Sequence, residues 1–331
     1  FKFKKTKTGK ISTEHNSLEK LSGSYEVIKL ILKYRELAKI KNTYVDSLIA
    51  KVDEHSRIHT VFSQTGTATG RLTSSHPNLQ NLPKTGEWGE AVRQAIIAEK
   101  GYQLVSFDYS QLELRLAAHL ANEKRLIQAF NEGQDIHRLT AASIYKLPLE
   151  EISDDQRRQA KIFNFGILYG MSKKSLAQSA NLSLEEASTF IDNYFKSFPA
   201  LVRFIEEAKD EARKTGIVRT LFGRLRRVTE VNAANWSVRG QAERVAVNFK
   251  IQGLNADIIK LAMIEIDKHF SSAEDQDNIR LILQVHDELV FEIKDELIES
   301  SVVVIKNIME NFFQFKVPLV VNYQVGSNLG F

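Results

Sequence analysis

The sequence predicts an α+β fold, because segments with the period of strands alternate with long segments that have the period of helices. Residues 102–107 are apolar or aromatic and follow the turn signal Lys100-Gly101, which is typical of a buried strand. Residues 279–285 and 289–293 alternate around His286-Asp287, which predicts a β-hairpin. We therefore expect helices and antiparallel strands within one fold.

Length and composition restrict the class of protein. With 331 residues the chain exceeds one typical hydrophobic core, so we expect two or more subdomains. The absence of cysteine excludes disulfide frameworks and cysteine-ligated zinc. No apolar run approaches the ~20 residues that span a bilayer, and no signal-peptide pattern opens the chain, so we expect a soluble intracellular protein. A net charge of +4 favours a polyanionic partner without establishing one.

The N-terminal quarter combines basic and polar segments. Five lysines occur in the first ten residues, where a solvated terminus is the simpler interpretation. Residues 24–50 keep a helical period with a basic opposite face and no obvious antiparallel partner, so we expect a chain that begins inside a domain. Residues 57–82 are polar and contain glycine, which predicts a loop that needs hydrogen bonds.

A strand-to-helix junction follows residues 102–107. Asp108 ends the strand, and from Ser110 onward apolar residues recur at three- and four-residue steps, as in a helix packed on a core. Ser110 and Glu113 have the spacing of a capping box, in which the glutamate binds back to the first amide of the helix. The pattern alone favours this capping role for Glu113, and a contact with a substrate is the alternative.

Three further helical segments precede the hairpin. Residues 153–169 read as one helix, and Ser153 with Gln156 forms a second possible capping box. Residues 182–214 predict two helices divided at Phe198-Pro199 and ended near Gly216. Residues 239–270 are again helical, with an expected interruption at Gly253.

Asp108 and Asp287 both follow strands, where a sheet presents side chains to a cleft. Two such carboxylates suit Mg²⁺, which prefers hard oxygen ligands and completes its shell with water and substrate phosphates. Two ions about 3.5 to 4 Å apart stabilise both the attacking and the leaving oxygen of a phosphoryl transfer. For each aspartate alone, a turn or cap residue is the commoner explanation.

Arg157, Lys161, Phe165 and Tyr169 are spaced by four and form one stripe on the predicted helix. Cations suit phosphate oxygens and aromatic rings suit a base, so the stripe suggests a nucleotide site. An amphipathic surface helix is the alternative. Gly166 weakens the helix by roughly 1 kcal/mol relative to alanine, and close approach by a ligand would explain it.

These stretches resemble motifs A, B and C of the bacterial-type family A DNA polymerases, the DNA polymerase I group. The motifs are residues 108–115 (DYSQLELR), 157–170 (RRQAKIFNFGILYG) and 285–288 (VHDE). Residues 67–72 with 77–81, 135–137 and 242–252 are similar to further blocks of that family in the same order.

The resemblance implies a right-hand architecture with an antiparallel-sheet palm, helical fingers and a partial helical thumb. It places the partial thumb at residues 1–51, the palm at 52–116 and 240–331, and the fingers at 117–239. It implies template-directed addition of dNTPs to a primer 3′-hydroxyl by a two-metal mechanism, without proofreading and with weak processivity. The alternatives are a single-subunit RNA polymerase, against which Glu113 and Phe165 argue, and a fragment that binds primer-template without catalysis.

The resemblance also assigns roles to individual residues. Asp108, Asp287 and Lys161 would be catalytic, and two Mg²⁺ would be bound by Asp108, the main-chain carbonyl of Tyr109 and Asp287, with Glu288 nearby. The nucleotide would contact Gln111, Glu113, His137, Arg157, Lys161, Phe165 and Tyr169, with Glu113 as a steric gate against a 2′-hydroxyl. Primer and template would contact Arg71, Asn78, Gln80, Arg244, Asn248, Gln252 and His286.

The partners implied are primer-template DNA and dNTPs, with no membrane. We expect a monomer in the cytoplasm, associated with the nucleoid, and an organelle is the alternative compartment.

Overall fold

A computed structural model describes residues 9–83 and 86–331, which form two compact units. The first unit contains the chain up to residue 62 together with residues 74–98 and 326–331, and the second contains residues 63–73 and 99–325. Four of the five N-terminal lysines, Lys2, Lys4, Lys5 and Lys7, lie outside the described residues. The division into thumb, palm and fingers stays a prediction.

The first unit is mainly helical. Its helices are α1 (His15–Ser22), α2 (Glu26–Ile40), α3 (Asp46–Ile49) and α4 (Glu87–Gln94), and a π-helical turn (Lys41–Val45) joins α2 to α3. The basic helix therefore exists at residues 26–49, and α1 packs against α2. The expectation that this helix has no antiparallel partner stays a prediction. Its apolar residues Val27, Leu30 and Tyr34 are nevertheless exposed.

The loop predicted at residues 57–82 contains regular structure as well. Two short strands lie in it, β1 (Val61–Ser63) and β2 (Thr73–Ser75), and a 3₁₀ turn (Leu79–Asn81) ends it, so the prediction of an irregular loop is wrong at these positions. The buried hydroxyl of Ser74 accepts a hydrogen bond from the amide of Leu79 at 2.8 Å. Polar side chains thus bind the backbone of this segment, as expected.

The second unit is built around a four-stranded sheet. Its strands are β3 (Tyr102–Tyr109), β6 (Ile279–Val285), β7 (Glu288–Lys294) and β8 (Val321–Gly326), in the order β6-β7-β3-β8, and a separate two-stranded sheet consists of β4 (Ile217–Arg219) and β5 (Leu225–Arg227). β7 is antiparallel to both β3 and β6, which confirms the hairpin and the mixed α+β class.

The described part of the second unit also contains ten helices. They are α5 (Leu112–Ala121), α6 (Lys124–Asn131), α7 (Ile136–Tyr145), α8 (Asp154–Leu168), α9 (Lys173–Ala180), α10 (Leu184–Ser197), α11 (Pro199–Thr215), α12 (Trp236–His269), α13 (Ala273–Asn278) and α14 (Ile298–Asn311). Ser153 and Gln156 form both halves of the predicted capping box at α8. The predicted division of α10 from α11 at Phe198-Pro199 and the end at Gly216 are also confirmed.

Close packing, and not the cause predicted from the sequence, explains the presence of glycine at two positions. Gly253 does not interrupt α12, which is one unbroken helix of 34 residues. A Cβ at Gly253 would lie 2.6 Å from Cγ2 of Thr220, so the glycine permits close packing. Likewise a Cβ at Gly166 would collide with Cδ2 of Leu176 in α9, so tight helix packing explains this residue without a ligand.

No described helix combines the length and the apolar character that crossing a bilayer requires.

Candidate active site

The second unit contains a polar cleft of about 480 Å³, which is within the usual size range of small-molecule sites. Its lining is Arg71, Asp108, Tyr109, Gln111, Leu112, Glu113, His137, Arg157, Lys161, Phe165, Tyr169, His286 and Asp287. Every one of these residues except Leu112 was singled out from the sequence, although they are spread over more than 200 positions of the chain. The fold therefore gathers the three motifs in one place.

The two aspartates meet at one end of the sheet. In the register of β3 and β7, Asp108 lies opposite Glu288, and the amide of Tyr109 donates a hydrogen bond to the carbonyl of Asp287 at 3.2 Å. Asp287 is in the hairpin turn beside His286, whose φ of +56° is in the left-handed region. The ring of Tyr109 is buried and its hydroxyl donates to the carbonyl of Met309, so only its main chain faces the cleft.

The donor set of this end of the cleft suits Mg²⁺. Within residues 9–83 and 86–331 no group of three or more histidine, cysteine or acidic side chains has the arrangement of a metal site. A pair of carboxylates is nevertheless what Mg²⁺ uses when substrate phosphates supply further ligands. Glu288 is buried and does not line the cleft, and it accepts a hydrogen bond from the Ser106 hydroxyl at 2.5 Å. Its metal role stays a prediction.

Glu113 does not cap α5, so the capping prediction is wrong. The helix begins at Leu112, and its first flanking residue is Gln111, which has a φ of +52° and makes no side-chain cap. The carboxylate of Glu113 instead accepts hydrogen bonds from Nη2 of Arg71 at 2.7 Å and from the hydroxyl of Tyr169. Burial raises the pKa of Glu113, and these two hydrogen bonds counter part of the increase.

The predicted stripe of α8 faces the cleft along its whole length. Nε of Arg157 donates to Asp135 at 2.6 Å, and Asp135 also accepts the amides of His137 and Arg138 at the start of α7. Burial opposes ionisation of Asp135, but Arg157 and these amides hold its pKa below the ordinary value. Lys161 is exposed and forms no ion pair with any residue that the structure describes.

The aromatic end of the stripe is stacked. The rings of Phe165 and Tyr169 are inclined by 17° with centroids 6.4 Å apart, and Phe165 also contacts the ring of His137 at 5.8 Å. Burial raises the pKa of Tyr169, and the hydrogen bond to Glu113 raises it further, so the phenol stays protonated as a donor.

His137 is neutral and its tautomer is defined by neighbours. Burial lowers the pKa of His137 to about 4, and the cations Arg157 and Lys161 reinforce the decrease against the influence of Asp135. Nδ1 accepts a hydrogen bond from Nδ2 of Asn164 at 3.0 Å, which leaves the proton on Nε2. His137 is therefore a neutral hydrogen-bond donor in the cleft.

Four buried polar atoms in this region have no hydrogen-bond partner among the described residues: Nε of Arg71, Oε1 of Gln111, Oδ1 of Asn248 and Oδ1 of Asn255. Arg71 and Gln111 line the cleft, while Asn248 donates to the carbonyl of Tyr169 and Asn255 donates to Asp287. Buried polar groups are normally paired, so these four atoms are exceptions within the described residues.

Several predicted DNA contacts lie outside the cleft lining. Arg244, Asn248 and Gln252 are on α12, and the side chain of Arg244 lies so close to Gly170 that a Cβ there would be 2.6 Å from its Cγ. Asn78 and Gln80 belong to the first unit, where the side chain of Asn78 accepts the amide of Gln80 at 3.0 Å. Arg71 and His286 do line the cleft.

Sequence reasoning missed three residues of the site. Leu112 lines the cleft, Asn164 fixes the tautomer of His137, and Asn255 binds Asp287. A signal for the last two was present, because each is an asparagine of a helix with an apolar residue directly on either side. The hydrogen-bond partners could not be read from that signal.

Comparison with known proteins gives a consistent result. The model of the family described as DNA polymerase family A matches residues 1–330. The thermostable DNA polymerase I of Thermus aquaticus is 46% identical over 326 residues, which is 98% of this chain and 39% of that protein. DNA polymerase I of Pseudomonas aeruginosa is 44% identical over 326 residues, covering 98% of this chain and 36% of its own length. The chain thus spans about two fifths of the length of these relatives.

A solved structure agrees with these relatives. The POL domain of Pol1 from M. smegmatis, in complex with DNA primer-template and dNTP, superposes with a TM-score of 0.92 at 38% sequence identity. The match covers 100% of this chain and 58% of that one.

Proposed function

Because the chain belongs to DNA polymerase family A, we propose that it catalyses template-directed DNA synthesis, in which a primer 3′-hydroxyl attacks the α-phosphate of a dNTP and pyrophosphate leaves. The observation that carries this proposal is the shared cleft, where two strand-end carboxylates lie with the cation and aromatic stripe of α8. Carboxylates for metal, cations for phosphate and rings for a base are the parts that nucleotidyl transfer requires.

Asp108 and Asp287 would hold two Mg²⁺, with the main-chain carbonyl of Tyr109 as a further ligand and Glu288 close by. The bound ions would supply stabilisation of the attacking and leaving oxygens. The sheet register supports this assignment, because it joins Asp108 and the hairpin turn through the hydrogen bond from Tyr109 to Asp287.

Arg157, Lys161 and His137 would bind the triphosphate. The ion pair with Asp135 keeps the Arg157 guanidinium in place, because Nε donates to that carboxylate. The Arg157 side chain also lines the cleft. Neutral His137 would donate from Nε2 to a phosphate oxygen. Lys161, which has no ion-pair partner in the described chain, would donate a proton to the leaving pyrophosphate.

Phe165, Glu113 and Gln111 would surround the sugar and base of the incoming nucleotide, and Tyr169 would stack at the template position. Glu113 is 6% exposed and is held by Arg71 and Tyr169, so its carboxylate has little freedom to move away. A carboxylate fixed in this way would collide with a 2′-hydroxyl, which supports its role as a gate for deoxyribose.

Primer and template would contact Arg71, Asn78, Gln80, Arg244, Asn248, Gln252 and His286. Arg71 lines the cleft, and a guanidinium is a donor that suits the minor-groove acceptors common to all base pairs. Such contacts test the geometry of pairing without reading the sequence.

The test is primer extension by this chain with one nucleotide at a time, together with filter binding of the same labelled duplex. We expect only the complementary dNTP to be added, and we expect the primer to stay intact when nucleotides are omitted, because the proposed activity lacks proofreading. Efficient addition of the matching rNTP would indicate an RNA polymerase instead. Binding of the duplex without any extension would reduce the function to primer-template binding.

A further inference from the structure

The side chain of Asp287 is held by an amide from the interior of the protein. Nδ2 of Asn255, on α12, donates a hydrogen bond to Oδ1 of Asp287 at 2.8 Å. Asn255 is 1% exposed and lies between the buried residues Leu254 and Ala256. The reverse orientation of its amide would set two acceptors against each other, so the donor faces the carboxylate.

The main chain around Asp287 is fixed independently of Asn255. The amide of Tyr109 donates to the carbonyl of Asp287 at 3.2 Å, and Nε2 of Gln284 donates to the carbonyl of His286 at 2.6 Å. These bonds define the path of the hairpin turn, but they leave rotation about the side-chain bonds of Asp287 open. Among the described residues, the amide of Asn255 is the hydrogen-bond donor that restricts this rotation.

The choice of asparagine at this position has no packing explanation. Its Oδ1 is buried and has no hydrogen-bond partner among the described residues, and an unsatisfied buried acceptor lowers stability. An apolar residue of similar volume would avoid that loss. The hydrogen bond that Asn255 donates to Asp287 therefore explains why this position is an asparagine.

Resting on the proposed function, we propose that Asn255 is a positioning residue that orients the Asp287 carboxylate for Mg²⁺. Residues that hydrogen-bond a metal ligand fix its orientation before the metal arrives, and their loss commonly lowers metal affinity 10- to 100-fold. Because Oδ1 of Asp287 is the oxygen that accepts from Asn255, Oδ2 is the oxygen free of this bond.

Two substitutions separate the donor from the shape of the side chain. Asn255→Ala removes the donor and leaves a small cavity, whereas Asn255→Leu removes the donor and keeps a similar volume without adding a charge beside Asp287. Asn193→Ala is the control, because Nδ2 of Asn193 also donates a hydrogen bond, to the carbonyl of Ile144 at 3.3 Å, but Asn193 does not line the cleft.

The experiment measures metal dependence in two ways. The first is the Mg²⁺ concentration that gives half the maximal extension rate at saturating primer-template and dNTP. The second is Mn²⁺ affinity, followed by electron paramagnetic resonance on a complex whose primer ends in a dideoxynucleotide, so that no extension occurs. Thermal unfolding confirms that each variant is folded.

We expect Asn255→Ala and Asn255→Leu to raise the half-saturating Mg²⁺ concentration about 10-fold and to weaken Mn²⁺ binding by a similar factor, while Asn193→Ala changes neither. Folded Asn255 variants whose metal concentrations stay within twofold of the unaltered chain would overturn the inference. If Asn255→Ala does not fold, Asn255→Leu decides alone. Lack of extension by the unaltered chain would contradict the proposed function instead, and the Mn²⁺ measurement would still test Asn255.

Discussion

Removal of the Glu113 carboxylate should weaken discrimination between deoxyribose and ribose. Glu113 is held by two hydrogen bonds, one from Arg71 at 2.7 Å and one from the hydroxyl of Tyr169. Hydrogen bonds to charged groups contribute about 1.5 to 3 kcal/mol each, so displacing the carboxylate to admit a 2′-hydroxyl would cost about 3 kcal/mol or more. At about 1.4 kcal/mol per factor of ten, this corresponds to at least about 100-fold discrimination.

The assay is single-nucleotide insertion, with the ratio of kcat/KM for a dNTP to kcat/KM for the matching rNTP as the readout. We expect Glu113→Ala to lower this ratio about 100-fold, and Tyr169→Phe to lower it about tenfold because one of the two hydrogen bonds is lost. Glu113→Gln keeps the shape but removes the charge from both hydrogen bonds, so it should lower the ratio by less than Glu113→Ala does. A ratio for Glu113→Ala within threefold of the unaltered chain would refute the reasoning.

Three further outcomes follow from single residues. Phe165→Tyr should improve dideoxynucleotide incorporation at least about tenfold in a chain-termination assay, because the added hydroxyl replaces the missing 3′-hydroxyl as a hydrogen-bond donor; equal termination by both proteins would contradict this. The folded-state pKa of His137, about 4, lies below its ordinary value of 6.5, so its contribution to stability is complete above pH 6.5 and is lost as the pH falls towards 4. Urea unfolding should accordingly show a smaller loss of stability between pH 7 and pH 5 in His137→Asn than in the unaltered chain, and an identical loss would be evidence of a solvated imidazole. Gly253→Ala should lower the free energy of unfolding by about 1 to 2 kcal/mol, because the energetic cost of overpacking exceeds the gain in helix propensity. The new Cβ would lie 2.6 Å from Cγ2 of Thr220, whose hydroxyl donates a hydrogen bond to Asp257. A rise in the melting temperature would show instead that the Thr220 side chain moves away at little cost.

Local patterns predicted local structure well. The capping box of Ser153 and Gln156 lies within one helical turn, and the hairpin around Asp287 joins strands that are neighbours in sequence. Both depend on interactions that the sequence displays at short range. The same holds for the stripe of α8, whose spacing of four is the geometry of the helix itself.

Long-range relations could not be derived in this way. The capping interpretation of Glu113 failed because its partners Arg71 and Tyr169 are 42 and 56 positions away in the sequence. A pattern within one helical turn contains no information about such distant partners. The glycines of α8 and α12 were misread for the same reason, since their neighbours Leu176 and Thr220 come from other elements. The position of Asp108 beside the hairpin turn depends on strand register, which periodicity does not reveal. The family resemblance was the basis for predicting that the two aspartates share one site.

The measurement that tests the central claim most directly compares extension and duplex binding in Asp287→Asn. We expect the single-turnover extension rate at saturating dNTP and Mg²⁺ to fall at least about 1000-fold, while the Kd for primer-template changes less than threefold, because the substitution removes the proposed metal ligand but keeps the shape of the turn. Asp192→Asn, on the exposed face of α10, is the matched control and should extend at the unaltered rate. Extension by Asp287→Asn within tenfold of the control would contradict the assignment of this cleft as the polymerase active site.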